Sequence, residues 1–224
     1  MNSGISKGVL FDDIHSFYDL NLIFAGAEIP PATPKENYID IPGADGSLDF
    51  TEALGEVKYN DRSGCKFTFT MNPDGDLSDE AFEEKKTEIS NLLNGTVRKI
   101  TLDKDPDYYY YGRCTVNGYA QNKKIKQFVI SAKVKPYKYK QNKTTVSVNL
   151  TAEEKTVVLK NGKKSVVPVI TCTNSHTTVK FGDFKTVLIV GTHKVLDICL
   201  KEGNNEIRLS GTGTITFTYQ EGDL

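Results

Sequence analysis

"LDKDPDYYYYGRC", residues 102–114, sets three alternate aspartates directly before four consecutive tyrosines. Three readings compete for it: a loop closing on a hard cation, an aromatic platform for a base or sugar, or a strand with packing on both faces. Asp103, Asp105 and Asp107 open like a calcium loop. The sixth position of such a loop needs glycine for its sharp turn, and the twelfth needs a bidentate glutamate. Here those positions hold Tyr108 and Cys114. A turn fits better, with Pro106 fixing the backbone and the aspartates accepting N–H bonds. Beyond the turn, a strand sends Tyr108 and Tyr110 to one side and Tyr109 and Tyr111 to the other. A stacking platform needs its aromatics on a single open face. Aromatic residues on both faces suit core on one side and a second packing surface, domain or subunit, on the other. Tyrosine is also enriched at protein interfaces.

Outward from this strand the chain reads as mainly β, in an α+β arrangement. "VRKITLD" precedes it and "KIKQFVISAKVKPYKY" follows it as further strands, with Gly112 and "QNKK" as punctuation. Upstream, "SDEAFEEKKTEISNLLNG" predicts a helix. Ser78 caps it, acids fill the first turn, and Asn94-Gly95 supplies a left-handed stop. Phe82, Ile89, Leu92 and Leu93 share one stripe. "CKFTFTM", 65–71, alternates like a half-buried strand, and "KGVLFDDIHSFYDLNLIFAGAEI" reads as short strands. Residues 28–50 between them, with prolines at 30, 31, 34 and 42, read as a long loop.

The character changes near 136–145, where "KPYKYKQNKTT" reads as a linker. Past it there is no helix signal. "TVVLK", "SVVPVITC", "TTVKF", "KTVLIV", "HKVLDICL", "NEIRLS" and "GTITFTY" predict about seven short strands of an antiparallel β-sandwich. The boundaries expected are 1–138 for a β-rich domain with one helix and 139–224 for the sandwich.

A net charge of −1 and a hydrophobic fraction of 38% describe a folded chain with no basic excess for nucleic acid. No run of about 18 apolar residues exists, so no membrane insertion is expected. The N-terminus lacks the basic and apolar regions of a secretory signal. On that expectation the sequons at Asn94, Asn142 and Asn149 are chance matches, and Cys65, Cys114, Cys172 and Cys199 are reduced thiols.

Catalytic patterns are weak. "GISKG", 4–8, matches a serine nucleophile elbow but has no room for the strand that must precede it. His15, His176 and His193 are far apart and off metal-ligand spacing. Asp12-Asp13 and Asp45-Asp49 read as turn or capping acids rather than acid–base pairs. No phosphate-binding glycine motif occurs. The residues give no case for an enzyme, a cofactor or a metal.

"GVLFDDIHSFYDLNLIFAGAEIPPATPKENYIDIPGADGSLDFTEALG", "KFTFTM", "ISNLLNG" and "ITLDKDPDYYYYGRC", in this order and spacing, resemble the N-terminal domain of phage distal tail proteins. These belong to siphophages and related prophages of Gram-positive bacteria. The second half, with "NGKKSVVPVI" and "GNNEIRLSGTGTITFTYQEGDL", is similar to the family's C-terminal sandwich, which is galectin-like in outline. The resemblance implies a non-enzymatic virion protein of the tail tip, or baseplate, assembled in the host bacterial cytoplasm. It implies a homohexameric ring joining the tail tube protein to the tail-associated fibre or lysin protein, often with receptor-binding proteins at the periphery. N-terminal domains make such a ring and C-terminal domains project from it.

A closed cyclic ring uses two different complementary patches per subunit. The candidates are the 28–50 segment, represented by Ile41 and Pro42, and the strand of Tyr108, Tyr109, Tyr110 and Tyr111. The alternative reading is a carbohydrate-binding module built on the sandwich. The chain has no tryptophan, the commonest sugar-stacking residue.

Overall fold

The computed structural model describes residues 8–53, 55–121, 126–151 and 153–224, with the side chains of 119–121 outside the description. It divides into two compact units, Met1–Lys138 and Tyr139–Leu224.

The N-terminal unit contains β1 (Val9–Phe11), β2 (Ile14–His15), β3 (Leu22–Glu28), β4 (Tyr38–Asp40), β5 (Ser47–Asp49), β6 (Arg62–Met71), α1 (Asp79–Leu93), β7 (Val97–Leu102), β8 (Tyr108–Gln121) and β9 (Lys126–Val134). Seven of the strands form one antiparallel sheet in the order β2-β1-β7-β8-β9-β6-β3. Alternation decides which side is core. Cys65, Phe67 and Phe69 of β6, and Phe128, Ile130 and Ala132 of β9, are all buried on one face. Four strand steps separate β1 from β6, roughly 19 Å in a flat sheet. Yet the Phe11 ring lies 6.2 Å from both Phe67 and Phe69. The sheet must therefore roll so that its ends meet across the core. A register shift between Arg62 and Cys65, with Gly64 at φ +78°, helps β6 make that bend.

Helix α1 closes the core. Ser78 caps it by accepting the Ala81 N–H at 3.1 Å. Phe82, Ile89 and Leu93 are buried, and the Phe82 ring packs 5.0 Å from Phe128. Asn94 ends the helix in extended conformation, and the stop is Gly95 at φ +74°.

Two expectations change in this unit. Gly112 is not punctuation: it lies inside β8, paired with Arg98 and Val134. A Cβ there would meet the Lys133 carbonyl oxygen at 2.1 Å, so glycine permits the close strand approach. The 28–50 segment is not wholly loop, because β4 and β5 pair as a separate two-stranded hairpin. Pro42 sits in its turn and not in a ladder, so it costs the pairing nothing. The "QNKK" turn lies outside the described residues from 122 on.

Strand β10 (Lys138–Lys140) begins at the last residue of the N-terminal unit, and the C-terminal unit goes on through β11 (Thr144–Leu150), β12 (Lys155–Asn161), β13 (Val169–Cys172), β14 (Thr177–Phe181), β15 (Phe184–Leu188), β16 (Gly191–His193), β17 (Gly203–Ser210), β18 (Gly213–Tyr219) and β19 (Gly222–Asp223). Two antiparallel sheets, β11-β18-β13-β16 and β12-β17-β14-β15, face each other over Leu159, Ile170, Val179, Ile207, Ile215 and Phe217. This is the mainly β architecture that the strand pattern predicts.

Two boundaries differ from expectation. The 136–145 stretch is not an unstructured linker: β10 pairs with β19, and β11 begins at Thr144. "HKVLDICL" is not a strand beyond His193. Ile198 and Leu200 bury instead as a plug, held by reciprocal backbone bonds between Leu200 and Val166. All four cysteines are free; Cys65, Cys114 and Cys172 are buried and Cys199 is half-buried.

Candidate assembly surface

Strand β8 divides its aromatics between two faces. Tyr110 packs on the core with Gly112 and Cys114, and the buried Arg62 guanidinium lies 5.7 Å from its ring. Arg62 is held by two carbonyls, donating from Nε to Pro136 at 2.8 Å and from a terminal nitrogen to Pro30 at 3.1 Å. Burial pushes the Tyr110 phenol up and the Cys114 thiol up to about 11. On the outer face Tyr109 is half-buried with the Lys99 ammonium 4.5 Å from its ring. Tyr111 is 45% exposed. Tyr108 is half-buried beneath the Lys138 ammonium, 4.3 Å away.

The outer face around Tyr111 is a shallow open groove of about 620 Å³. Val97, Tyr111, Arg113, Thr115, Ser131 and Lys133 line it from β7, β8 and β9. Arg113 donates to the Gly95 carbonyl, and neither it nor Lys133 has an acidic partner among the described residues. Lys135, at the rim, pairs with Asp61 at 3.6 Å.

The aspartates before the tyrosines diverge. Asp103 accepts the Gly8 N–H at 2.6 Å and lies 3.2 Å from His15 Nε2. His15 Nδ1 accepts the Phe17 N–H, so its proton sits on Nε2 and points to Asp103. Asp105 accepts from Lys138 Nζ at 3.0 Å. Burial is the largest single influence and works against the Lys138 charge, but the Asp105 hydrogen bond and charge, with Tyr110 and Tyr108, together outweigh it and leave the ammonium pKa raised. Asp107 is exposed. The stretch is a turn whose acids tie down three separate elements. Of the "GISKG" motif only Gly8 is described. Asp12 bonds the Lys99 N–H and Arg98, a structural role.

The hairpin is the second feature. Every residue from 33 to 50 is exposed. Backbone bonds from Lys35 to Lys58 and from Asn60 to Thr33 anchor its base. Its register pairs Tyr38 with Asp49, Ile39 with Leu48 and Asp40 with Ser47. Ile39, Ile41, Leu48 and Phe50 therefore share one face, and all four are 41–49% exposed. The other face carries Glu36, Tyr38, Asp40 and Asp49. The Asp49 charge raises the Tyr38 phenol, as expected of an acidic face.

Ile41 and Pro42 thus lie at the hairpin tip and the four tyrosines on a central strand, on separate sheets. Beside those six stand Ile39, Leu48 and Phe50 on the hairpin and Val97, Arg113 and Lys133 around Tyr111, which sequence reading does not single out. The alternation in "YIDI" and "SLDF" around a glycine-rich turn carries the signal for the first three. In the C-terminal unit, Tyr139, Phe181 and Phe184 are half-buried and Phe217 and Tyr219 are buried, so none of these rings is fully open.

No protein-family model and no curated protein matches the sequence. Among solved structures the chain is similar to the Dit (gp 19.1) protein of phage SPP1, with a TM-score of 0.66 and 16% identity. The likeness covers 96% of this chain and 98% of that one, which is described as a paradigm of the hub adsorption apparatus in phages that infect Gram-positive bacteria. At that identity the likeness speaks to the backbone arrangement, and it shows that the chain has the Dit fold over nearly its whole length.

Proposed function

We propose that this chain is a structural, non-enzymatic subunit of a phage tail tip. Residues 1–138 close into a homohexameric ring that joins the tail tube protein to the tail-associated fibre or lysin protein, with receptor-binding proteins as further neighbours. The observation that carries the reading is the β4–β5 hairpin, whose apolar face Ile39, Ile41, Leu48 and Phe50 is 41–49% exposed among the described residues. A two-stranded hairpin is marginal in water by itself, and an uncovered apolar face marks an interaction site. The Dit fold supports placing that site in a tail hub.

The test is mass in solution together with particle images. Six copies of a 24.9 kDa chain give a ring of about 150 kDa with six-fold views. A protein that stays monomeric at all concentrations, and that tail-tube protein fails to assemble, overturns the proposal.

A further inference from the structure

We infer that the outward face of the β12-β17-β14-β15 sheet binds a base-free phosphodiester polymer along a row of three cations, Arg208, Lys180 and Lys185. The surface lies within the C-terminal unit alone, so it stands or falls separately from the ring reading.

The register builds the row. In β17, Ile207 and Leu209 are buried and Arg208 between them is exposed; in β14, Val179 is buried and Lys180 follows it on the opposite face. Lys180 stands directly opposite Arg208 on one side and directly opposite Lys185 on the other. The three cations therefore line up across adjacent strands, with roughly 4.8 Å of backbone spacing at each step. Like charges facing each other in this way destabilise a sheet. Glu154 relieves only part of the repulsion, pairing with Lys180 at 3.2 Å, and neither Arg208 nor Lys185 reaches an acid among the described residues. A lysine on an edge strand deters pairing with a foreign sheet, which accounts for Lys185 on β15. It does not account for Lys180 and Arg208, which sit on the inner strands β14 and β17. A repulsion with no return inside the chain points to an anion outside it.

The neighbours of the row select the kind of anion. Thr156 lies opposite Arg208, and Ser210 and Thr178 face each other in the next outward row. Arginine, lysine and hydroxyl side chains are the groups that hold phosphate oxygens. No outward position of the four strands is aromatic or methionine, whereas a protein partner's footprint is enriched in both. Single-stranded nucleic acid likewise needs open rings on which to stack its bases. What remains is a chain that offers regularly spaced phosphate charges and nothing to stack.

The test uses the full chain and a fluorescein-labelled abasic oligonucleotide, a deoxyribose-phosphate polymer without bases, read by fluorescence anisotropy. Contacts at about 0.7 of a counterion each give a log–log salt slope near about −2 for the row, so affinity should fall about twentyfold between about 50 and 200 mM salt. Lys185→Gln and Arg208→Gln should each lessen that fall to about sevenfold, and Lys194→Gln, the same change of charge outside the row, should leave it at about twentyfold. Because the row strains its own sheet, Lys185→Gln should also raise the melting temperature, by about 1–4 °C. Failure to bind the abasic chain at about 50 mM salt overturns the inference, and so does an equal loss in Lys194→Gln. Oligothymidylate of the same length bound more than about tenfold more tightly makes the ligand a nucleic acid, and poly-L-glutamate preferred by the same margin makes it an acidic protein; either result overturns the assignment. A fall in the melting temperature of Lys185→Gln gives that lysine a structural task in its own chain and overturns it as well.

Discussion

Gly112 lies so close to Lys133 that a Cβ on it would stand 2.1 Å from the Lys133 carbonyl oxygen and 2.5 Å from Val134 Cα. Both obstacles are backbone atoms of the neighbouring strand, so no rotamer change relieves the clash. Gly112→Ala should therefore cost about 3 kcal/mol, at the upper end of overpacking effects. Gly26, in β3, has nothing within 4 Å of its would-be Cβ, and Gly26→Ala should be neutral or slightly stabilising. Urea unfolding of the two variants side by side reads the contrast. Equal effects would mean that β8 and β9 leave room for a Cβ at Gly112.

The three alternate aspartates make a graded series. Asp103 accepts from the Gly8 backbone and from His15, tying β1 and β2 to the turn after β7. Asp103→Ala leaves a buried imidazole N–H and a backbone N–H without their acceptor, at about 1–3 kcal/mol. Asp107→Ala changes an exposed side chain and should move stability by less than about 0.5 kcal/mol. Thermal melts with and without calcium check both points. A melting rise with calcium that depends on all three aspartates would restore the metal-loop reading.

The contrast between what the residues announce and what they conceal has a physical cause. β6 and α1 are legible because each buries one face of a regular element, so periodicity alone marks Phe67 and Phe69, or Phe82, Ile89 and Leu93. The hairpin is obscured because prolines at 30, 31, 34 and 42 outweigh a short alternation, and only the register shows Pro42 in the turn. Val195, Ile198 and Leu200 keep neither helical nor strand spacing because they plug the sandwich without joining a ladder. The groove is hidden for a different reason. Val97, Arg113 and Lys133 come from three strands, and only Cα register places Val97 opposite Arg113 and Arg113 opposite Lys133.

Cys114 gives a pH-dependent signature. Burial pushes its thiol up to about 11 from an ordinary value of 9.0, so the folded state holds the proton more tightly than the unfolded chain. Its contribution is fully present below pH 9 and is lost between pH 9 and about 11, where only the unfolded chain ionises. Two units correspond to about 2–3 kcal/mol. Stability of the N-terminal unit should fall over that window, and Cys114→Ala should flatten the fall while lowering stability at neutral pH. Iodoacetamide at pH 8 should reach half-buried Cys199 well before Cys65, Cys114 and Cys172. Uniform labelling would contradict the burial.

Ile39 and Leu48 face each other across the hairpin at 48% and 49% exposure, so their replacement separates assembly from folding. Among the described residues neither packs on the core cluster, and Ile39→Asp or Leu48→Asp should shift monomer unfolding by less than about 0.5 kcal/mol. If the apolar face is buried between copies, each substitution places a charge in a desolvated interface. The expected cost, about 2 kcal/mol or more per contact, is at least a tenfold to thirtyfold weaker association. Because a closed ring repeats the contact at every interface, the loss multiplies around it, and the ring should dissociate to monomer at concentrations where the parent chain is assembled. Light scattering gives the mass and a melt gives the fold. A mutant that melts early as well as dissociating would place these side chains in the folding core. A mutant that assembles unchanged would remove the hairpin from the interface altogether.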